Sequence, residues 1–550
     1  MLDQIKHSLQ DAVKMIDSSI ELSIDDIEVS LLFDEKGDFT TNVALKLSKL
    51  LKQKPLDLAK SIIENTSSNE FEKIEVAGPG FINFFLKDQS FLKLLNEGKR
   101  RFQDQSTVNI EFVSANPTGP LHLAHGRGAI VGDVLSNLYQ FFGHKVTREY
   151  YVNNTGNQIN EFLSSILFHI SSIHHLDLPY KQFYKGDYIK DLAEKCFENF
   201  QDIFKSKQIS KEQELKIVNY AIENLVNLSI QTLQKSGIVF DQVSYETSIV
   251  EKKLLPEIII ELQKKGLIYR GQLHDPKDFQ GTKKDNEITI FKSTHFGDDE
   301  DRALTKNDGS PTYFANDIAY HVDKYNRGYS RLINIWGADH LGYLKRLSSA
   351  LTALYSDIDF SVVFCQIVNL KRNNEIQKMS KREGTIFELD QLVNEIGIEN
   401  YRYFMCYRKN DTHMDLDIDL IKKENKENPI YYIQYSFARS QSVLDRANKL
   451  VSKSLNLSPE LKNLIKKIHE WDLVVLNSYT RNEVHLISHY LESLASMFHS
   501  LWSSAKSNPQ IRFLDDDNNL SEEAQSLLKR YQLVLSEGLG ILGIKPKLKM

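Results

Sequence analysis

Apolar and polar positions divide the chain into three stretches of different period. In the first, residues 1–87, MLDQIKHSLQDAVKMI places apolar residues at helical spacing and predicts a helix ending near Ile20. FDEKGDFTTNVALKLSKLLKQKPLDLAKSI then predicts a turn at Gly37-Asp38 and two helices, the second opened by Pro55. IEVAGPGFINFFL predicts two short strands hinged at Gly78-Pro79-Gly80. In the second stretch, residues 88–425, strand-like runs alternate with helical ones. Val108–Val113 reads as a buried strand, and Ala129, Ile130, Val134, Leu138 and Phe141 follow it at helical spacing. A strand ending at Tyr151-Val152 runs into Asn153-Asn154-Thr155-Gly156, which caps the next helix. A helical, lysine- and glutamate-rich run extends to about residue 235. Short strands are predicted over 265–315 (GLIYRGQLHD, ITIFKS, ALTKNDGSPTYFANDIAY), with a hairpin turn at Asn307-Asp308-Gly309. LINIWGADHLGYLKRL gives strand, glycine turn and helix, and VVFCQIVNL (362–370) one more buried strand. Past residue 425 strands disappear, leaving helical runs at about 429–452, 459–478, 481–504 and 520–542.

These periods predict an α/β protein. Its centre is a doubly wound parallel-sheet domain over 88–425, flanked by a small α+β domain over 1–87 and an all-α helical bundle over 426–550.

The segment Ser114–Gly132, SANPTGPLHLAHGRGAIVG, organises the middle domain. It joins a strand to a helix through prolines, glycines and two histidines three apart, which share one face once the helix has begun. Free N–H groups and the positive end of the helix dipole make such a turn an anion site, here read as a receiver of nucleotide phosphates. A second turn, Gly337-Ala338-Asp339-His340, offers a glycine for close approach and a carboxylate for a ribose hydroxyl. A third, QKMSKREGT (377–385), presents two lysines three apart in a cationic loop able to clamp a polyphosphate. All three are placed at the carboxyl ends of predicted strands, where open α/β sheets bind ligands. His169, His174 and His175 have no accompanying ligand cluster and read as packing or surface residues.

Composition narrows the setting. The 550 residues are 41% hydrophobic and 26% charged, which suits a folded globular chain. No apolar run reaches membrane-span length. The three cysteines, Cys196, Cys365 and Cys406, lack zinc or disulfide spacing; a reducing cytoplasm and no protein-bound zinc or other metal are expected. A net charge of −6 provides no global attraction for nucleic acid, so such a partner requires local patches, for which Lys36, Lys46, Lys49, Lys52 and Lys54 are candidates.

His122-Leu123-Ala124-His125 together with Lys378-Met379-Ser380-Lys381 resembles the two signatures of class I aminoacyl-tRNA synthetases. The flanking words ANPTGPLHLAHGRGA, YYVNNTGNQI, GADHLGY, KMSKREGT, NPIYYIQYSFARSQSV and the ending Gly543–Met550 resemble arginyl-tRNA synthetases, as does GDFTTNVALKLSK…VAGPGFINF near the start. The resemblance spans nearly the whole chain. It implies activation of L-arginine by ATP, carried with Mg²⁺, and transfer to the 3′ end of tRNA(Arg). It further implies a Rossmann-type catalytic domain with insertions, an N-terminal domain that meets the tRNA corner, a C-terminal domain that binds the anticodon, and arginine activation only with tRNA bound.

On that resemblance His122, His125, Lys378 and Lys381 are the catalytic residues, acting on the phosphates. Gly119, Leu121, Ala124, Gly126, Gly337, Asp339, His340, Met379 and Ser380 surround the ATP. Glu111, Ser114, Asn116, Asn153, Tyr313 and Asp317 form the arginine pocket, since a planar fork of donors calls for carboxylates and planar acceptors. Tyr313 and Asp317 lie four apart, on one helical face. Tyr431, Tyr435, Arg439 and Trp502 are the candidate tRNA contacts, as aromatics and arginine stack splayed bases. One departure stands out: Ala124 replaces the glycine usual in the family, which predicts a slightly displaced nucleotide. Nothing in the sequence requires a dimer, so a monomer is expected. Two alternatives remain open: a synthetase-like binder without catalysis, against which the intact histidine and lysine pairs speak, and a class I ligase for another amino acid. A cysteine enzyme calls for zinc ligands, and a glutamate pocket for arginines rather than carboxylates.

Overall fold

The computed structural model describes residues 1–66, 69–96, 104–206, 208–272, 287–377, 388–452 and 455–550. The lysine loop, Lys378–Lys381 included, lies outside the described residues.

The amphipathic start folds as α1 (Leu2–Ile16), with Ile5, Leu9, Ala12 and Val13 buried at helical spacing. It packs on α3 (Pro55–Asn65), which Pro55 opens as expected, with the short α2 (Val43–Leu47) beside it. Both lie with a four-stranded antiparallel sheet of order β1-β2-β4-β3: β1 (Val29–Leu31), β2 (Phe39–Thr41), β3 (Phe71–Ala77) and β4 (Phe81–Leu86). Two strands were expected here and four are present. The Gly37-Asp38 turn is the corner of a β1–β2 hairpin whose strands of three residues are too short to show a period. α4 (Asp88–Asn96) leads out of this unit.

The central sheet has five strands, all parallel: β5 (Thr107–Glu111), β6 (Lys145–Val152), β7 (Gln242–Tyr245), β11 (Arg331–Gly337) and β12 (Asp359–Cys365), in the order β12-β11-β5-β6-β7. The first strand lies in the middle and the chain winds outward from it both ways, so the topological switch point falls between β5 and β11. α5 (Leu123–Phe141) follows β5 and is buried along most of its length. A Cβ at Gly132 of this helix would lie 2.3 Å from the ring of Phe112, so only glycine lets the helix close on the end of β5. α6 (Asn157–Ile173), α7 (Asp187–Asn199) and α8 (Lys211–Lys235) fill the β6–β7 crossover. In it His169 hydrogen-bonds Gln182 (3.2 Å) and His174 stacks on Phe197 at 3.5 Å, so both pack rather than ligate.

After β7 come α9 (Glu246–Glu251), α10 (Leu254–Lys264) and a small antiparallel sheet of β8 (Ile268–Gly271), β9 (Ile288–Phe291) and β10 (Arg302–Ala303). The turn at Asn307–Gly309 forms as predicted, closed by Thr305 pairing with Pro311. Beyond it the expected strand is instead α11 (Tyr313–Asn326), capped by Thr312, whose Oγ1 accepts the Ala315 N–H. α12 (Leu341–Leu354) follows β11. The run 362–370, read as one strand, is two: the chain leaves the main sheet at Gln366-Ile367 and enters β13 (Val368–Arg372), which forms a separate sheet with β14 (Glu375–Gln377) and β15 (Met414–Asp417). The lysine loop therefore follows β14, not a strand of the central sheet. α13 (Leu389–Ile396) and α14 (Ile398–Met405) precede β15, and α15 (Ile418–Ile421) follows it.

The last part is helical: α16 (Pro429–Arg446), α17 (Pro459–His469), α18 (Trp471–Arg481), α19 (His485–Ser507) and α20 (Glu522–Ile541). The expected helix 459–478 divides at Glu470, and strands do not vanish, because β16 (Leu450–Val451) pairs with β17 (Leu520–Ser521). The first and last parts of the chain meet at α17. The buried Lys466 Nζ donates to Leu32 O (2.5 Å) and pairs with Asp38 (3.0 Å), while Lys462 pairs with Asp88 (2.7 Å).

Candidate active site

β5 ends on Glu111, and the chain then leaves regular structure under strain. Val113 and Ser114 have φ values of 68° and 40°, in the left-handed region that a β-branched residue such as valine disfavours. What holds them is hydrogen bonding: Ser114 Oγ donates to Glu111 Oε1 (2.9 Å) and accepts the Tyr151 N–H (3.1 Å). Further on, Thr118 O accepts the Tyr188 hydroxyl (2.8 Å), which lies close under Gly119. The turn finishes at His122, the N-cap of α5. His122 and His125 cap each other reciprocally, the His122 N–H donating to His125 Nδ1 at 3.2 Å, with ring centroids 4.0 Å apart. The two imidazoles thus share one face at the positive end of a 19-residue helix. Ala124 is exposed between them. Leu121 and Gly126 are buried: Leu121 O accepts the Leu389 N–H (3.1 Å), and Gly126 leaves room for the Tyr401 hydroxyl, which donates to its carbonyl (2.9 Å). Both support the turn from beneath.

The second turn lies beside the first, because β11 pairs with β5 in parallel register from Arg331–Val108 to Asn334–Glu111. Gly337, Asp339 and His340 are all exposed at its carboxyl end, Asp339 and His340 3.5 Å apart. The far flank of the lysine loop is anchored here too, since Glu388 pairs with His122. Histidine turn, GADH turn and this flank therefore converge on the switch point.

Next to it is a largely buried cluster of carboxylates. Glu111, Glu246 and Asp317 all act electrostatically on Tyr151, whose phenol burial and these charges hold far above its usual range. Asp317, on α11, accepts a short hydrogen bond from the Tyr343 hydroxyl. Burial, with Glu111 and Glu246 adding to it against the Tyr343 bond, pushes the Asp317 carboxyl up to about 7. Glu246, the residue after β7, is gripped by Asn316 (2.8 Å) and, with its amide turned to satisfy both sides, by Asn153 (2.8 Å). Tyr313 stands 59% exposed, its hydroxyl against Gly156, where a Cβ would approach to 2.8 Å. Asn116 is exposed on the turn above. The expected four-residue pairing of Tyr313 and Asp317 on one helix is thus present, with Asp317 deeper.

Glu111 faces inward. Its Oε2 pairs with the fully buried Lys324 (2.6 Å), which also donates to Asn334 (3.2 Å); Asn334 in turn bonds His321 (2.9 Å). Burial and the Lys324 charge lower His321 to about 3, so it is a neutral ring with Nδ1–H donating to Asp317 O (2.8 Å). Lys324, Glu246, Tyr151, Tyr343, Asn334 and His321 escaped the sequence reading. Signals existed for two of them: Glu246 follows directly on its strand, close to the place Glu111 holds at the end of β5, and Lys324 lies seven residues after Asp317 on the same face.

In the helical part, Tyr435, Arg439 and Trp502 form a stack: the Arg439 guanidinium sits 4.3 Å from the Tyr435 ring centre and 4.9 Å from that of Trp502. Tyr431 continues it at 6.4 Å from Tyr435. Trp502 also borders a cavity of about 440 Å³ lined by Arg446, Lys506, Arg512 and Phe513. Cations and ring faces together suit a nucleotide base and its phosphate.

Three family models match in sequence order: Arginyl tRNA synthetase N terminal domain over 3–86, tRNA synthetases class I (R), catalytic domain, over 89–417, and DALR anticodon binding domain over 433–550. The arginine–tRNA ligase of Pelagibacter ubique is 39% identical, with 93% of this chain and 92% of that one aligned. The chain belongs to the arginyl-tRNA synthetases. The Bacillus licheniformis arginine–tRNA ligase is 35% identical over 100% of this chain and 99% of its own. The Thermus thermophilus arginyl-tRNA synthetase structure shares the fold, with a TM-score of 0.75 at 17% identity over 99% of each chain. Ala124, the third of the four residues His122–His125, is exposed to solvent. Among the described residues no group of three or more His, Cys, Asp or Glu is placed to hold a metal, and no helix is long and apolar enough to cross a membrane.

Proposed function

We propose that this chain is a cytoplasmic, monomeric arginine–tRNA ligase of protein synthesis. It joins the carboxylate of L-arginine to the α-phosphate of ATP with loss of pyrophosphate, then passes the arginyl group to the 3′ ribose of tRNA(Arg) with loss of AMP. The observation that carries the reading is the carboxylate cluster of Glu111, Glu246 and Asp317 beside the histidine turn, with Glu111 at one end of the segment 111–125 and the two histidines at the other. A guanidinium meets fixed acceptors at one end of that segment, and phosphates meet a helix N-terminus at the other.

The arginine carboxylate is already a nucleophile, so the residues position reactants and disperse charge. His122 and His125 donate to the phosphate oxygens as charge builds; Lys378 and Lys381 neutralise the leaving pyrophosphate, with Mg²⁺ arriving on the ATP as part of the substrate. Gly119, Ala124, Gly337, Asp339, His340, Met379 and Ser380 surround the nucleotide, and Leu121 and Gly126 brace the turn. Asp317 and Glu246 accept the guanidinium, and Tyr313, Ser114, Asn116 and Asn153 complete the pocket. Glu111 enters it neutralised by Lys324, as a wall rather than a free charge. Residues 1–87 contact the tRNA corner, 88–425 perform the chemistry, and 426–550 bind the anticodon through Tyr431, Tyr435, Arg439 and Trp502.

The test is charging of a tRNA pool with each amino acid, beside ATP–pyrophosphate exchange with and without tRNA. Arginine alone is expected to be charged, and exchange to need tRNA. Charging with another amino acid, or with none, overturns the reading.

A further inference from the structure

Arg127 lies two residues beyond His125 and is 1% exposed. Its guanidinium donates to four main-chain carbonyls: Thr412 (2.6 Å), Lys409 (2.8 Å), Arg408 (3.1 Å) and Gln366 (3.3 Å). None is a carboxylate: the buried guanidinium is hydrogen-bonded only to peptide carbonyls, with the Asp411 carboxylate acting on it at longer range. Three of the four acceptors belong to the loop 406–412, which connects α14 to β15.

That loop is held on its other side by the helical part of the chain. Tyr407 O accepts from His489 (2.7 Å), the Tyr407 hydroxyl donates to Glu492 (3.0 Å), Lys409 pairs with Glu483 (3.4 Å), and Asn410 donates to Asn482 O (3.3 Å). At its far end the loop runs into β15, which pairs with β13, and β13 pairs with β14 up to Gln377. Gln366, the fourth acceptor, stands where the chain passes from the central sheet to β13, and its N–H donates to Asn410 O (2.9 Å). One guanidinium therefore joins the first turns of the histidine helix to a loop braced by α18 and α19.

We propose that Arg127 is a positioning residue for adenylate formation: it fixes the His122–His125 turn against the loop 406–412, and through that loop against the α18–α19 corner of the C-terminal helices. It touches neither reactant. Its effect is on where the two imidazoles stand as charge builds on the phosphates, and a change at the α18–α19 corner reaches them through it. This rests on the ligase reading for its kinetic readout, and on hydrogen exchange for a readout independent of it.

Arg127→Lys keeps the charge but offers a single nitrogen where four carbonyls need a planar fork. In the full-length enzyme it is expected to lower kcat for tRNA-dependent ATP–pyrophosphate exchange 10- to 100-fold, with KM for ATP and arginine within threefold of wild type. Amide exchange should rise in 120–128 and 406–412 and stay unchanged in α1 and α3. Glu483→Gln combined with His489→Gln should lower kcat in the wild-type background and have no further effect on Arg127→Lys. A kcat within twofold of wild type, additive effects of the two sets, or unaltered exchange at 120–128 would each overturn the proposal. Should the wild-type chain charge no arginine, the ligase reading falls, and exchange at 120–128 and 406–412 alone decides the role of Arg127.

Discussion

Asp317→Asn separates binding from stability in opposite directions. In the free protein the Asp317 carboxyl titrates at about 7, against a usual 3.8. A group whose folded value is raised contributes stability at low pH and loses it as pH climbs from about 4 through 7. Relative to low pH this costs the folded state about 4 kcal/mol at pH 8, where the carboxyl is ionised in both states, and about 2 kcal/mol at pH 5.5, where it is ionised only in the unfolded chain. Asparagine keeps the shape and removes the charge, at the cost of a weaker bond from Tyr343, about 1 kcal/mol. The variant should gain about 3 kcal/mol of local stability at pH 8 and only about 1 kcal/mol at pH 5.5. Native-state amide exchange of α11, corrected for intrinsic rates, measures both without global unfolding. The same change removes the charge that meets the guanidinium, and a charge-assisted bond of about 3 kcal/mol raises the arginine KM roughly 100-fold, with the ATP KM unmoved. Equal α11 protection in variant and wild type at pH 8, or an arginine KM within threefold, would refute the reasoning.

Other expectations follow from the same geometry. Because arginine binds the ionised Asp317, its KM should rise about tenfold per pH unit below about 7, and binding near pH 6.5 should release protons; calorimetry in buffers of different ionisation enthalpy measures this, and a flat profile counts against it. Lys324→Met strands Glu111 and should cost about 3–5 kcal/mol in thermal or urea unfolding, partly restored by adding Glu111→Gln. Ala124→Gly removes an exposed methyl at the turn and should leave ATP binding equal or tighter; weaker binding contradicts a merely displaced nucleotide. Trp502→Ala should raise the tRNA KM about 5- to 150-fold while arginine and ATP constants stay put, as loss of one stacking platform of about 1–3 kcal/mol requires.

The sequence was most informative where periodicity and turn chemistry agree. The β5–turn–α5 unit, the start of α6 after Asn153–Gly156 and the GADH turn could be read because glycine and proline interrupt strong apolar runs, although α6 is capped by Gly156 and by no side chain of that segment. The β1–β2 hairpin stayed hidden because three-residue strands carry no period, and the break at Gln366-Ile367 because an apolar run looks alike in one sheet or two. α11 was obscured by Ser310-Pro311, a turn signal that also sets up a helix N-cap at Thr312. In the site, residues near a motif were accessible from sequence. Those supplied by a crossing element were not: Lys324 reaches Glu111 from 213 positions away, and Tyr343 reaches Asp317 from a helix with its own strand partner.

The clasp between Lys466 and the 32–38 turn has a consequence for how the chain is made. Asn463 and Phe33, bonded across it, are 430 residues apart. At about 5–20 residues per second, some 20 to 90 s of synthesis separate the two faces. The first domain completes its own core around Phe39, Leu58, Ile62 and Phe84 long before α17 exists. For that interval Asp38 and the Leu32 carbonyl face water, and a chain released before α17 carries a folded domain whose docking face never meets its cation.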